Sequence, residues 1–348
     1  MAVLRFPNPV SDVPKFVDVF RLLHTHLVTP NFGHDDIVRV LIDQGQVSSC
    51  GTVGNEALSR STRDDRSRDP LFNQAKMYSE LYRMLGWMHP GSDSGHFVFS
   101  ELASYVAGER LDSPLILESI YSIVFPNPHV ENRGGHTIRP FSQILKMMRL
   151  LGGLICRDEL IVSVLAMTDD REPDISPTKA EAISRIRGKR QRLVDALSNV
   201  ADSLQENTLK NYTRFPLGIL KSTGWAESVN QKGLYERSIK VYRLTAAGEK
   251  LADLLNTKID VRHSDLANFS ESERAAFVLL SQYEQFGRGG FDLEPVREHY
   301  PRLLQMCRPI LLKFNQHSLD NILYAPFQQS PSLDLDLAKK LDESFGGQ

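Results

Sequence analysis

Residues 70–87 read Pro70-Leu-Phe-Asn73-Gln74-Ala-Lys76-Met-Tyr-Ser-Glu-Leu-Tyr-Arg83-Met-Leu85-Gly86-Trp87, followed by a polar turn and Phe97-Val98-Phe99-Ser100. The spacing from Leu71 to Leu85 predicts an amphipathic helix, and Gly86-Trp87 ends it. The polar turn from Pro90 to Gly95 and the alternating Phe97-Val98-Phe99 predict a β-hairpin. Ser100 then caps a short helix through Leu102, Ala103 and Val106. The same plan returns downstream. Gly224-Trp225 lies 138 residues after Gly86-Trp87, Asn211 stands 14 residues before its Trp as Asn73 does, and Arg214 falls where Lys76 does. A second hairpin turns at Asn230-Gln-Lys232-Gly233, and Leu244-Thr245 opens a closing helix. The chain reads as a two-copy duplication, since solenoid repeats are shorter and recur at least about three times.

Upstream elements complete each copy. Phe16, Val17, Phe20, Leu23 and Leu27 draw one stripe of a first helix, and Asp35-Asp36 open a second through Leu41 and Ile42. An arginine-dense stretch, Arg60-Ser-Thr-Arg63-Asp-Asp-Arg66-Ser-Arg68, precedes Pro70. In the other copy Pro140 to Leu151 forms the first helix, Arg157-Asp158-Glu159 opens the second, and a charged excursion from Lys179 to Gln205 adds one or two long helices. The fold class expected is mainly α (α+β), with tandem winged-helix domains, small β-hairpin wings and a helical C-terminal segment. The expected boundaries are 1–125 and 139–260 for the two domains, 126–138 for a linker broken by Pro126, Pro128 and Gly134-Gly135, 261–326 for the C-terminal helices and 327–348 for a polar tail or linker.

Composition narrows the function. The 348 residues carry 41 Lys and Arg against 43 Asp and Glu, so a uniformly basic coat is excluded and any polyanion site must be a local patch. Three cysteines without a CxxC pair argue against a disulfide framework or thiolate zinc site and fit a reducing cytosol. No apolar run reaches the roughly 18 residues of a membrane span, and the first residues lack signal-peptide character. A cytoplasmic protein with no membrane partner is expected.

In a winged helix the third helix can enter the ~12 Å major groove of B-DNA. The expected DNA contacts in the first copy are Asn73, Gln74, Lys76 and Arg83 on that helix, with Arg60, Arg63, Arg66 and Arg68 upstream for phosphates or a minor groove. In the second copy they are Lys210, Asn211, Tyr212, Thr213 and Arg214, with Lys232 in the wing turn. Arg185, Arg187, Lys189, Arg190 and Arg192 form a further basic cluster. A plainer reading stands beside each: a charge run is commonly a solvated helix face, and Asp64, Asp65 and Asp69 interrupt the first arginine stretch. Trp87 and Trp225 are expected to be core anchors at the helix–wing junctions. The winged helix also serves in protein assembly, so the fold alone does not establish DNA binding.

Other chemistry finds no motif. His24, His26 and His34 lack the cysteines or HExxH pattern that would complete a metal set, and Gly51-Thr-Val-Gly54 lacks the Lys of a phosphate loop. Asp169, Asp170, Glu172 and Asp174 near Lys179 read as an exposed loop rather than a Mg²⁺ nuclease centre.

Several segments resemble the DNA-recognition half of type II restriction endonucleases, most nearly the type IIS cutters and their nicking relatives. They are Phe125-Pro-Asn-Pro128, Arg139-Pro-Phe141 with its Leu/Met helix, Gly152 followed by Arg157-Asp-Glu-Leu160, Met84-Leu-Gly-Trp87 with Phe97-Val-Phe99, and Leu244-Thr-x-x-Gly248. The resemblance covers roughly residues 1–260 and implies tandem winged-helix subdomains that read a short asymmetric site. It places Arg60–Lys76 and Lys210–Arg214 on contacting segments. Those enzymes cut with a separate metal-dependent nuclease domain, and the carboxylate–lysine set of such a domain is not recognisable here. The catalytic residues are therefore unknown, and no metal ligand or cofactor is assigned to this chain. Mg²⁺ would be required by a nuclease domain or partner subunit. The expectation is sequence-specific recognition of double-stranded DNA by the reading part of a restriction endonuclease. The alternatives are a winged-helix transcription regulator without enzymatic activity, which would dimerise and need no Mg²⁺, and a protein–protein assembly module.

Overall fold

In a computed structural model, residues 3–255 are described apart from 30, 47, 50, 51, 61–68, 109–113, 128, 131–133, 171, 173 and 202–204. The expected C-terminal helices and tail therefore lie outside the described residues, as do Arg63, Arg66 and Arg68.

The first unit opens with α1 (Val13–His26), whose N-terminus is capped by the Asp12 carboxylate accepting from Lys15 N–H and primed by Pro14. Then come β1 (Phe32–Gly33), α2 (His34–Asp43), the small hairpin β2 (Ser48–Ser49) and β3 (Thr52–Val53), and α3 (Gly54–Arg60). The third long helix is α4 (Pro70–Met84), with Asp69 accepting from Leu71 N–H and Pro70 in its first turn. The wing is β4 (Met88–Pro90) and β5 (His96–Phe99), and α5 (Glu101–Gly108) and α6 (Pro114–Tyr121) follow. The second unit has α7 (Pro140–Leu150), β6 (Leu154–Cys156), and α8 (Arg157–Leu160) running into a π-turn at Ile161–Leu165. After α9 (Ile175–Ile186) and α10 (Arg190–Ala201) come α11 (Glu206–Tyr212), α12 (Arg214–Ser222), the wing strands β7 (Ala226–Gln231) and β8 (Ile239–Leu244), and α13 (Ala246–Leu254).

The protein is mostly helical with small antiparallel sheets, and the two units share a winged-helix-like topology. One sheet has the order β1-β5-β4 and the other β6-β8-β7, so in both the last wing strand is central. The likeness between the two units extends to individual bonds. Gly86 and Gly224 both end their helices at positive φ, 74° and 73°, a backbone conformation that strains residues carrying a Cβ. Ser100 N–H donates to Trp87 O at 3.0 Å, and Thr245 N–H donates to Trp225 O at 3.1 Å. Both Trp rings are core anchors, as expected. Trp87 lies among Phe16, Phe20 and Tyr82, and Trp225 lies against Tyr121 and Phe141. Each unit also departs from a minimal winged helix in the same place, with extra elements inserted between its second and third helices: β2, β3 and α3 in one, α9 and α10 in the other.

One hydrophobic core runs through both units. The stretch expected to be a linker is built into it: Asn127, His129, His136, Thr137 and Ile138 are buried, and Phe125 pairs with Ile138 in an isolated bridge. The N-terminal arm reaches the second unit. Leu4 N–H donates to Leu165 O, and Phe6 packs against Phe125, Phe141 and Phe215. Val13 N–H donates to the Ser222 hydroxyl at 2.9 Å. Ser11 lies so close to Gly218 that a Cβ there would sit 2.3 Å from the serine Cβ. The arm thus packs on the Gly218–Ser222 side of α12.

Candidate nucleic-acid interface

The third helix of the second unit is two helices. A continuous helix would need an N–H at position 216 to bond Tyr212 O; Pro216 has none, and the chain breaks at Thr213. Leu217 N–H restarts the ladder on Thr213 O at 3.1 Å. The arm is seated at Gly218 and Ser222, while the α11–α12 junction, with Asn211 and Arg214 exposed, forms an open end.

That open end borders a cleft of about 1220 Å³, walled by the start of α8, by α10, by the α11–α12 junction and by the wing. Six cations line it: Arg157, Arg190, Lys210, Arg214, Arg237 and Lys240. Asp158 and Glu206 are its acids, and each pairs with a cation already counted: Asp158 with Arg157 at 3.1 Å, Glu206 with Lys210 one turn along α11. Arg190, Arg214, Arg237 and Lys240 are exposed and have no carboxylate partner among the described residues. The Lys240 ammonium stands 5.6 Å from the Tyr242 ring centre, because alternate residues of β8 share a face. The floor is apolar, with Leu193, Leu197 and Leu217.

A buried carboxylate holds the cleft walls together. Glu159, fully buried, accepts from Cys156 N–H at 2.8 Å, closing the start of α8 as a capping box does. Its oxygens also accept from the Tyr235 hydroxyl at 2.8 Å and from Arg187 at 2.7 and 3.2 Å. Arg187 spends its other donors on the carbonyls of Leu151 and Leu154. Tyr235 belongs to the wing turn, so that turn is tied down to the body instead of projecting freely. Burial beside the Glu159 carboxylate pushes the Tyr235 phenol far above its ordinary pKa.

The sequence-selected residues sort accordingly. Asn211 and Arg214 are exposed in the cleft, and Lys210 lines it paired with Glu206. Lys232 is exposed in the wing turn, outside the residues lining the cleft. Tyr212 packs partly buried against the core. Thr213 borders the cleft but is only 1% exposed, and its hydroxyl donates to Lys210 O at 2.7 Å, so its visible role is to shape the break. Of the further basic cluster, Arg190 lines the cleft, Arg187 is turned inward onto Glu159, and Arg185 pairs with Glu181 on the outer face of α9. In the first unit Lys76 is exposed on α4, with Asn73 and Gln74 partly so. Arg83, expected on the outer face, is corrected: its guanidinium lies 5.0 Å from the Phe97 ring centre and donates to the carbonyls of His129 and Ser79. Arg60 ends α3, and its side chain lies outside the described residues. Arg157, Arg237, Lys240 and Asn207 were not selected from the sequence. The alternation Ile239-Lys240-Val241-Tyr242 could have flagged Lys240, whereas the other three are gathered only by the fold.

The acid group Asp169–Asp174 is not the exposed loop expected throughout. Asp170 is buried and accepts from Gln143 Nε2 at 2.9 Å and Arg139 N–H at 3.3 Å. Burial raises its pKa to about 6, against the opposing pull of those two bonds. A native pKa above the unfolded value means the folded protein keeps the proton to higher pH. The contribution of Asp170 to stability is then greatest below about pH 4 and is lost as pH rises through about 6. Relative to Asp170→Asn, the protein should lose about 2–3 kcal/mol between pH 4 and 7.5, read from urea unfolding midpoints; parallel profiles for the two proteins would refute the assignment.

Among the described residues no group of three His, Cys, Asp or Glu side chains could hold a metal ion, and no helix is long and apolar enough to cross a membrane. No protein-family model matches the chain, and no curated protein matches it. Among solved structures it is similar to the restriction endonuclease FokI at a TM-score of 0.39 and 12% identity, over 99% of this chain and 60% of that one. The chain thus spans about three-fifths of that protein's length, and a likeness this low carries no argument about function.

Proposed function

We propose that the chain binds double-stranded DNA in a sequence-selective way, with the cleft of the second unit as its main contact surface. The supporting observation is the set of four cations without a carboxylate partner among the described residues, Arg190, Arg214, Arg237 and Lys240, around one cleft. Like charges brought together by folding repel, and a polyanion relieves that repulsion. The cleft volume of about 1220 Å³ exceeds the roughly 300–1,000 Å³ of ordinary small-molecule sites, which favours a length of polymer over a compact ligand. Exposed amides at Asn207 and Asn211 stand among the cations and can read base edges. The first unit, 1–125, adds Asn73, Gln74 and Lys76 as a second reading head beside that of 139–260, with Arg60, Arg63, Arg66 and Arg68 as phosphate contacts. Two unlike heads on one chain suit an asymmetric site read by a monomer.

The reading is further that this recognition serves a restriction endonuclease whose nuclease domain or partner subunit uses Mg²⁺; that half rests on the sequence resemblance. The test is selection from a random duplex pool, followed by incubation of the chosen duplex with Mg²⁺ and partner subunits. Enrichment of one asymmetric motif is expected. Equal retention of duplex DNA and an acidic polypeptide, with no motif enriched, would discard the proposal.

A further inference from the structure

Cations and amides do different work on DNA. Guanidinium and ammonium groups can neutralise phosphates whatever the sequence, whereas a carboxamide sets an N–H donor beside a carbonyl acceptor, the complement of the adenine N6/N7 edge. We infer that Asn207 and Asn211 are the base-reading pair of this cleft and that each takes an adenine. This rests on the cleft holding duplex DNA.

Four observations carry it. Both residues are exposed and both line the cleft. They stand four apart on α11, so they share one face a single turn apart. Neither carboxamide is engaged by another described residue, whereas Asn127 donates to Met84 O and Gln143 to Asp170 as parts of the interior. Arg214 follows three residues after Asn211, and Arg190 also lines the cleft from α10, so the amides stand among groups that hold the backbone. A helical turn rises about 5.4 Å, between one and two steps of the ~3.4 Å base stack, so the two adenines lie no more than two steps apart. Asn207 enters only through the fold. The Pro216 break closes α11 at Tyr212 and leaves its Asn207–Asn211 face bordering the cleft, while the arm packs on α12 at Gly218 and Ser222.

The test is selection of bound duplexes from a random pool with the full chain, comparing the wild type with Asn207→Ala, Asn211→Ala and Arg190→Ala. The wild-type motif should contain two A·T pairs at most two steps apart. Asn207→Ala should erase the preference at one and Asn211→Ala at the other, each a loss of roughly 5- to 150-fold in discrimination, with the salt slope unchanged because no phosphate contact is removed. Asn207→Asp and Asn211→Asp keep the side-chain size but only accept, so each should move its position from adenine toward cytosine. Arg190→Ala should weaken every sequence alike and leave the motif intact. A motif unchanged in both alanine variants would overturn the base-reading assignment while leaving DNA binding standing. A wild-type chain that retains no duplex would overturn the DNA reading and this pair with it.

Discussion

Replacing Arg190, Arg214 and Lys240 together by alanine should lower duplex affinity by roughly 10²- to 10³-fold at moderate salt, at about 1–1.5 kcal/mol for each charged contact. The more diagnostic number is the salt dependence. Each neutralised phosphate contributes about 0.9 to the slope of log affinity against log salt, so removing three contacts should reduce the slope by about 2.7. The three side chains are exposed and have no carboxylate partner among the described residues, so their loss should leave the protein folded, with relief of mutual repulsion. Arg185→Ala is the matched control. It removes the same charge from the outer face of α9, where Glu181 already engages it, and it does not line the cleft. Fluorescence anisotropy of a labelled duplex across a salt series measures both quantities. An unchanged slope in the triple variant, or an equal effect from Arg185→Ala, would show that the cleft is not where the phosphates sit.

Glu159→Ala should be the most damaging single change, costing about 3–5 kcal/mol of folding stability. The carboxylate is fully buried, and its removal strands a half-buried Arg187 guanidinium, the Tyr235 hydroxyl and the Cys156 N–H at once. Glu159→Gln keeps the volume and the acceptor oxygen and should cost less than the alanine variant, because it loses the charge but keeps part of the hydrogen bonding. Removing both members of the ion pair, Glu159→Ala with Arg187→Ala, should cost less than the two single losses added together. Because Tyr235 holds the wing turn and Arg187 the end of α9, the alanine variant should also lose DNA affinity, although Glu159 is buried away from any ligand. Urea unfolding reads the first effect and anisotropy the second. A Glu159→Ala protein within 1 kcal/mol of the wild type would contradict the role given to this carboxylate.

Much of the architecture was legible in local pattern. The helix from Leu71 to Leu85, the Gly86-Trp87 stop, the hairpin at Phe97–Phe99 and the matching series at Asn211–Trp225 follow from periodicity, positive-φ glycine and alternation, all short-range properties. The site was legible only in part. Asn211 and Arg214 lie where the repeat put them, at the open end of the second unit. Arg83, Arg187 and Thr213 did not, because a polar side chain in an amphipathic helix can face either water or a buried acceptor, and spacing cannot separate the two. Arg187 faces inward because Glu159, Leu151 and Leu154 offer it four acceptor contacts, and those residues lie 28 to 36 positions away in the chain. Asp170 was misjudged for the same reason: its partners Gln143 and Arg139 belong to another helix and its cap.

The amino-acid order alone determined the helix ends and the recurring pattern of helix, Gly-Trp stop and hairpin, since these depend on residues close to one another in the chain. Only the tertiary structure decided which cations are free. It seats the N-terminal arm on α12, ties the wing down through Tyr235 and Glu159, and collects Arg157, Arg190, Arg237 and Lys240 from separate elements into one cleft. Charge in a folded protein acts through distance in space, and for these residues that distance is set by packing between elements, not by separation along the chain.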